Sequence, residues 1–295
     1  MIRRLVLAVA LAGFAAVTAS AKAPGRKISI FQPKVPETET LASGGAEFVY
    51  DYKWCADTTA RGTDSEDGDL MLLQTGPGGL SKFSSLRNLR VDSMIMRSSH
   101  EQIVDAAIDG KLSTGEPMTI FKNYPAGRLT HIEKVCMDYL RYDEEMPRQD
   151  WELTDTSTTV LGHECLGART VYGGREWTAF FAVDIPLPEG PWKLCGLPGL
   201  IMKASDSEGD YRFECTGIKV KSDRPVTIYK VPYNDTDRHG FYDTRHRYDV
   251  NPYAYFESTG CGTITVSDDD GNPVVDAFDP MELKYDYIER NWRKQ

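Results

Sequence analysis

Aromatic side chains recur at every second position near the start of the ordered pattern: Phe48, Tyr50, Tyr52 and Trp54, with Val49, Asp51 and Lys53 between them. Period two is the repeat of a strand, so this segment predicts a β-strand with one aromatic face. Further β-rich runs follow at Asp69–Thr75, Pro117–Lys122 and His131–Tyr139. The glycines Gly173-Gly174 separate Ala168–Tyr172 from Glu176–Val183, which predicts a hairpin. A second hairpin is expected where Leu200–Ala204 and Tyr211–Val220 flank the polar turn at 206–210, and Val226–Val231 and Gly262–Val266 read as two more strands.

Helical signals are few. Ser98-x-x-Glu101 has capping-box form, Ile103/Ala107 and Val104/Ile108 sit four apart, and Gly110 stops the run. Arg87–Met96 fits either period. Asp279–Trp292 reads as a helix or an edge segment, and 233–250 as a polar, irregular loop over the sheet. Many short strands, one or two helices and no βαβ alternation predict a mainly β, α+β fold: a single domain built on a curved antiparallel sheet.

The N-terminus bears on compartment. Arg3 and Arg4 precede an apolar run from Leu5 to Ala16, and Ala19-Ser20-Ala21 has the small-x-small form of a peptidase site. This predicts a secretory signal peptide over 1–21 and a protein that is periplasmic or secreted. Residues 22–45, with Pro24, Pro33 and Pro36, read as an extended leader, and the domain as 46–295. No later stretch is apolar enough for a spanning helix, so no membrane-spanning protein is expected. The formal charge of −10 argues against a nucleic-acid partner, since little here would neutralise a phosphate backbone.

The six cysteines, Cys55, Cys136, Cys165, Cys195, Cys215 and Cys261, are an even set in an oxidising compartment and predict disulfides. In a meander, Cys165 and Cys195 fall at one end of the sheet and are the favoured pair. No C-x-x-C occurs, so no zinc site is expected. Phosphate loops and nucleophile elbows are absent, and His163-Glu164 fails as a zinc-protease motif because Gly167 stands where the second histidine belongs. Acidic clusters at 64–69, 206–210 and 268–272 lack the spacing of a calcium loop and read as turns. No catalytic residue, metal or cofactor is therefore assigned. Arg175 beside Trp177 on a hairpin, and Trp192 in the proline-rich stretch 186–198, are candidate ligand-binding residues.

The segment Gly196-Leu197-Pro198-Gly199-Leu200-Ile201 carries a resemblance. With Gly162-His163-Glu164-Cys165 and Gly174-Arg175-Glu176-Trp177 upstream, and Gly190-Pro191-Trp192-Lys193 just before it, the chain resembles the GLPGLI family of exported bacterial proteins. The likeness covers about residues 46–220 and departs from the usual pattern at Phe181 and Cys195. The resemblance implies a curved sheet like a lipoprotein-carrier half-barrel, an envelope role near outer-membrane transporters, and no established activity. By local chemistry, Pro198-Gly199 favours a type II turn with positive φ at Gly199, Gly196 allows close backbone approach, and Leu197, Leu200 and Ile201 plug the sheet.

The resulting expectation is a non-enzymatic envelope protein that holds an apolar small molecule or peptide against the face carrying Phe48, Tyr50, Tyr52 and Trp54. The alternative is a secreted hydrolase using His239, His246 and nearby carboxylates, which requires those groups to converge. A third is partner docking at an exposed sheet edge.

Overall fold

The computed structural model describes residues 34–62, 65–259 and 279–293. The signal-peptide and first leader residues, Cys261 and the strand expected at Gly262–Val266 lie outside them.

Two meanders make one sheet. After β1 (Thr38–Ala42), which lies outside it, the first runs through β2 (Glu47–Cys55), β3 (Glu66–Thr75), β4 (Ser81–Ser85), β5 (Met118–Lys122), β6 (Arg128–Val135) and β7 (Asp138–Glu145). The second comprises β8 (Glu152–Val160), β9 (His163–Tyr172), β10 (Arg175–Ala182), β11 (Leu200–Asp206) and β12 (Tyr211–Lys219), followed by β13 (Val226–Tyr229) and β14 (Tyr233–Asp235). Helices are α1 (Leu86–Arg97), α2 (His100–Ile108), α3 (Arg238–Val250) and α4 (Pro252–Ser258). The main sheet has twelve strands in the order β14-β7-β6-β5-β4-β3-β2-β12-β11-β10-β9-β8, and β1 pairs with β13 in a separate two-stranded ribbon. All neighbours are antiparallel except β14 with β7. The sheet is large, curved and not closed into a barrel.

The hairpins fall where the glycines place them. Gly173 and Gly174 take φ of 63° and 78°, the two left-handed positions of the tight β9–β10 turn. His131–Tyr139, read as one strand, is two. The chain reverses at Cys136, which takes φ 55° without being glycine, so the sequence carries no turn residue to mark the break. The helix after Ser98 begins one residue later than its capping box. Ser99 Oγ accepts from the Gln102 amide while Gln102 Oε1 accepts from Ser99 N–H. Residues 238–250, expected as a loop, form α3, capped by the Asp237 carboxylate accepting from Gly240 N–H. The leader is also not structureless, since β1 pairs with β13 from Thr38 to Ala42.

One face of the sheet, the inner face, carries the core. Phe48, Tyr50, Tyr52, Met71, Phe83, Ile120, Trp177, Leu200, Ile201 and Phe213 pack there in one cluster. Its hollow is filled by the long connection between β10 and β11, whose Trp192, Leu194 and Leu197 are buried in the same cluster. Lys122 Nζ ties that connection down by donating to Gly190 O at 2.8 Å and Leu194 O at 3.1 Å. The face expected to cradle a ligand is thus occupied by the protein's own chain.

The disulfide expectation is corrected for four cysteines. Cys55, Cys165, Cys195 and Cys215 are buried thiols, and Cys165 does not bond to Cys195. Cys165 Sγ donates to His163 O and Cys215 Sγ to Gly217 O, while the Cys195 backbone is held by Gln149 and Trp151. Burial pushes the thiols of Cys165 and Cys195 up, and that of Cys215 to about 11, so these are inert core groups.

Candidate functional site

The expected ligand residues hold the fold together. Arg175 is buried. Its guanidinium donates to Asp206 Oδ2 at 2.7 Å and to the backbone oxygens of Tyr287 and Ile288, and lies over the Tyr211 ring. It clamps the C-terminal segment to the β10–β11 edge. Trp177 and Trp192, the two tryptophans expected to meet a ligand, are both fully buried with centroids 5.5 Å apart. Along 196–201 the glycines exchange their expected roles. Gly196 takes positive φ, 91°, in open space, while a Cβ on Gly199 would meet Ala182 O at 2.1 Å. Pro198 is exposed, whereas Leu197, Leu200 and Ile201 are core.

The histidines of the hydrolase reading do not converge on carboxylates. His239 and His246 lie seven residues apart on one side of α3, and both rings face Trp292 at centroid distances of 6.2 and 6.0 Å. The neighbouring acids are engaged elsewhere: Asp235 with Arg141, Asp243 with Arg247, and Asp249 with Arg245. Among the described residues no group of three metal-ligating side chains is found.

A different place gathers unsatisfied chemistry. In β4, Phe83 points into the core, so Lys82 and Ser84 point to the opposite, outer face. Register puts Phe121 beside Lys82 and Thr119 beside Ser84 on β5, and then Ile132 and Lys134 follow on the same face of β6. Two structures cover this outer face. Helix α1, capped by Ser85 Oγ, presents Asn88, Val91, Asp92 and Ile95 at helical spacing. The β1–β13 ribbon closes the other side with Tyr229 and the backbone of Thr227. Between them lies a cavity of about 250 Å³.

Polar side chains make up about half of its lining, with Lys34, Lys82, Asp92 and Lys134 the charged ones. Lys82 is buried, and its Nζ donates to Thr227 O at 2.8 Å and sits 5.6 Å from the centre of the Phe121 ring. Burial pushes its pKa down to about 8, against the pull of Asp92 and with a smaller contribution from Arg224. Burial likewise lowers Lys134, whose ammonium lies over the Tyr139 ring. Asp92 is raised by burial, opposed by the Tyr229 hydroxyl that donates to it and by both lysines. Ser84 Oγ is buried with no hydrogen-bond partner among the described residues. The walls between these groups are aliphatic, from Val91, Ile95, Leu112 and Ile132.

The inner face holds a second polar centre with the opposite character. His131 and Arg245 flank Glu133, Arg245 also pairs with Asp249, and the hydroxyls of Tyr285 and Tyr287 donate to Asp249. Lys193 bridges Glu289 and Glu144, and Arg238 adds a further contact to Glu289. These pairs are mutually satisfied and fasten α3 and the C-terminal segment to the sheet. Glu116, at the margin, is pushed up to about 8 by burial, with Arg245 opposing.

Neither Lys82 nor Ser84 was a sequence candidate. No strand was expected at Ser81–Ser85, which forms β4 with all five residues buried. The signal available was indirect: a strand so polar needs cover on both faces, and the helix that supplies it follows at once.

No family model and no curated protein matches the chain. Two solved structures of PNGF-II, in space groups P21 and C2, align with TM-scores of 0.44 each, at 13% and 12% identity. Each alignment covers 68% of this chain, which spans about a third of theirs, 33% and 32% respectively. A likeness of that grade carries no argument about activity.

Proposed function

We propose that this is a non-enzymatic binding protein of the cell envelope, and that its ligand is a small amphipathic anion held in the outer-face cavity beneath α1. The observation that supports this most is one partly open cavity in which, among the described residues, Lys82 and Lys134 have no carboxylate in contact and the Ser84 hydroxyl has no hydrogen-bond partner, beside aliphatic walls. Such convergence of polar groups beside apolar walls is the usual mark of a ligand site.

Charge and size narrow the ligand. Lys34, Lys82 and Lys134 against Asp92 leave the lining two positive charges when all four are ionised, which favours an anion. At about 30 Å³ per water, the space equals roughly eight waters, or a molecule of about ten non-hydrogen atoms. A medium-chain carboxylate meets both conditions. Export rests on the basic, apolar and small-residue order of 1–21, and agrees with the family that the hexapeptide resembles.

Titration calorimetry with octanoate tests the reading. Saturable binding at one site is expected, weakened about tenfold or more by Lys134→Met, because a hydrogen bond to a charged group contributes about 1.5–3 kcal/mol. Absence of saturable binding, or binding indifferent to both Lys82→Met and Lys134→Met, would overturn it.

A further inference from the structure

We propose that Lys82 captures ligands bearing an aldehyde or ketone as reversible imines, so that the cavity accepts oxo acids covalently as well as simple carboxylates. The inference rests on the cavity reading above and deepens it.

The argument begins with a contrast among buried lysines. Lys122 lies 2.8 Å from the Glu189 carboxylate and Lys193 2.6 Å from Glu289, so each is ion-paired. Lys82 has no carboxylate in contact among the described residues; its hydrogen bond goes to the neutral carbonyl of Thr227. That bond uses one N–H and orients the amine while leaving the nitrogen lone pair available once a proton is lost. With a pKa of about 8, about one Lys82 in ten is neutral at pH 7, against roughly one in three thousand for an ordinary lysine. A desolvated lysine in a cavity is the general form of an amine nucleophile.

The remaining parts of the reaction have residues to perform them. The Lys82 nitrogen attacks the carbonyl carbon, a C–N bond forms, and the carbonyl oxygen takes up a proton to give a carbinolamine. Ser84, two residues along the same strand on the same face, offers an unused hydroxyl to hold that oxygen. The Asp92 carboxylate takes the proton from the nitrogen and returns it to the hydroxyl, the C–O bond breaks and water leaves; the hydrogen bond from the Tyr229 hydroxyl holds that carboxylate in place. Amine plus carbonyl gives imine plus water, with no change of oxidation state. Lys134 lies two strands across the sheet and four residues along from Thr130, the position level with Lys82, roughly 16 Å between backbones, and is placed to hold the carboxylate of a ligand that runs the length of the cavity.

The test uses the full chain with 8-oxooctanoate, an aldehyde and a carboxylate on one chain, under cyanoborohydride, with peptide mapping to locate the reduced adduct. Lys82 is expected to label saturably and roughly tenfold or more faster than surface lysines, with competition by octanoate. Ser84→Ala is expected to slow this phase, and Lys82→Met to remove it while retaining the wild-type circular dichroism spectrum. Labelling should rise from pH 6 to 8 as the amine loses its proton, whereas octanoate binding should fall above pH 8. Octanoate binding with Lys82 labelling no faster than surface lysines overturns the imine proposal alone. Absence of octanoate binding together with unselective labelling overturns the cavity reading on which it stands.

Discussion

Replacing Lys82 by methionine is expected to stabilise the protein at neutral pH, which is unusual for a buried substitution. Methionine keeps the length of the side chain and removes its charge. Lowering the ammonium's pKa from 10.5 to about 8 corresponds to about 3 kcal/mol of penalty on the charged form. Losing the hydrogen bond to Thr227 O costs about 1 kcal/mol. The net gain at pH 7 is then about 2 kcal/mol, or a Tm rise of roughly 4–8 °C for a chain of this size. The folded state gives up the Lys82 proton near pH 8 and the unfolded chain near 10.5, so between those values the unfolded chain binds more protons and wild-type stability rises with pH. The advantage of Lys82→Met should therefore shrink through this window and become a loss of about 1 kcal/mol near pH 10.5. Urea denaturation followed by tryptophan fluorescence, with both proteins at each pH, isolates this difference because all other titrations are shared. A difference that stays flat from pH 7 to 10.5, or a variant less stable at pH 7, refutes the assignment of an unpaired, desolvated lysine.

Four further outcomes follow from the same structure. Glu116→Gln should change stability little below pH 4.5 and raise it progressively relative to wild type from there to pH 8, because a carboxyl raised from 4.5 to about 8 holds its proton when folded, and the stability this contributes is lost as pH climbs through that window; paired pH-dependent melts check it. Gly199→Ala should destabilise more than Gly196→Ala, since the first drives a Cβ into Ala182 O and the second meets only backbone strain of about 1 kcal/mol; comparative urea midpoints decide. Arg175→Met leaves Asp206 buried without its partner and should cost about 3–5 kcal/mol, with faster amide exchange along 285–290. Trp177→Ala should cost a similar 3–5 kcal/mol through the cavity it leaves in the core, measured by the same denaturation.

The sequence made the strands readable where period and turn chemistry agreed. β2 shows its aromatic face directly, and Gly173-Gly174 marks its hairpin because only glycine takes two successive left-handed positions cheaply. It failed where a residue without turn character made the turn, as at Cys136, and where a helix lacked a broad apolar stripe. In α3 the buried positions are the aromatics Phe241, Tyr242 and Tyr248, and the positions around them are charged, so the helix is stabilised by Asp249, Glu133 and the C-terminal segment rather than by its own pattern. The cradle for a ligand was misplaced for a related reason. Period two shows that Tyr50 and Tyr52 share a face, but not that seventeen residues between β10 and β11 fold back to fill it. Lys82 and Ser84 were hidden because Ser81–Ser85 was not read as a strand at all, and so polar a segment looks solvated until the helix and ribbon that cover it are seen.

The most direct test of where a ligand sits is isotope-filtered NMR of the protein with methyl-labelled valine, leucine and isoleucine and unlabelled octanoate. The account predicts contacts from the octanoate chain to the methyls of Val91, Ile95 and Ile132 beneath α1, lost in Lys134→Met. Contacts to Leu200 and Ile201 on the inner face instead, or to no methyl at all, would contradict it.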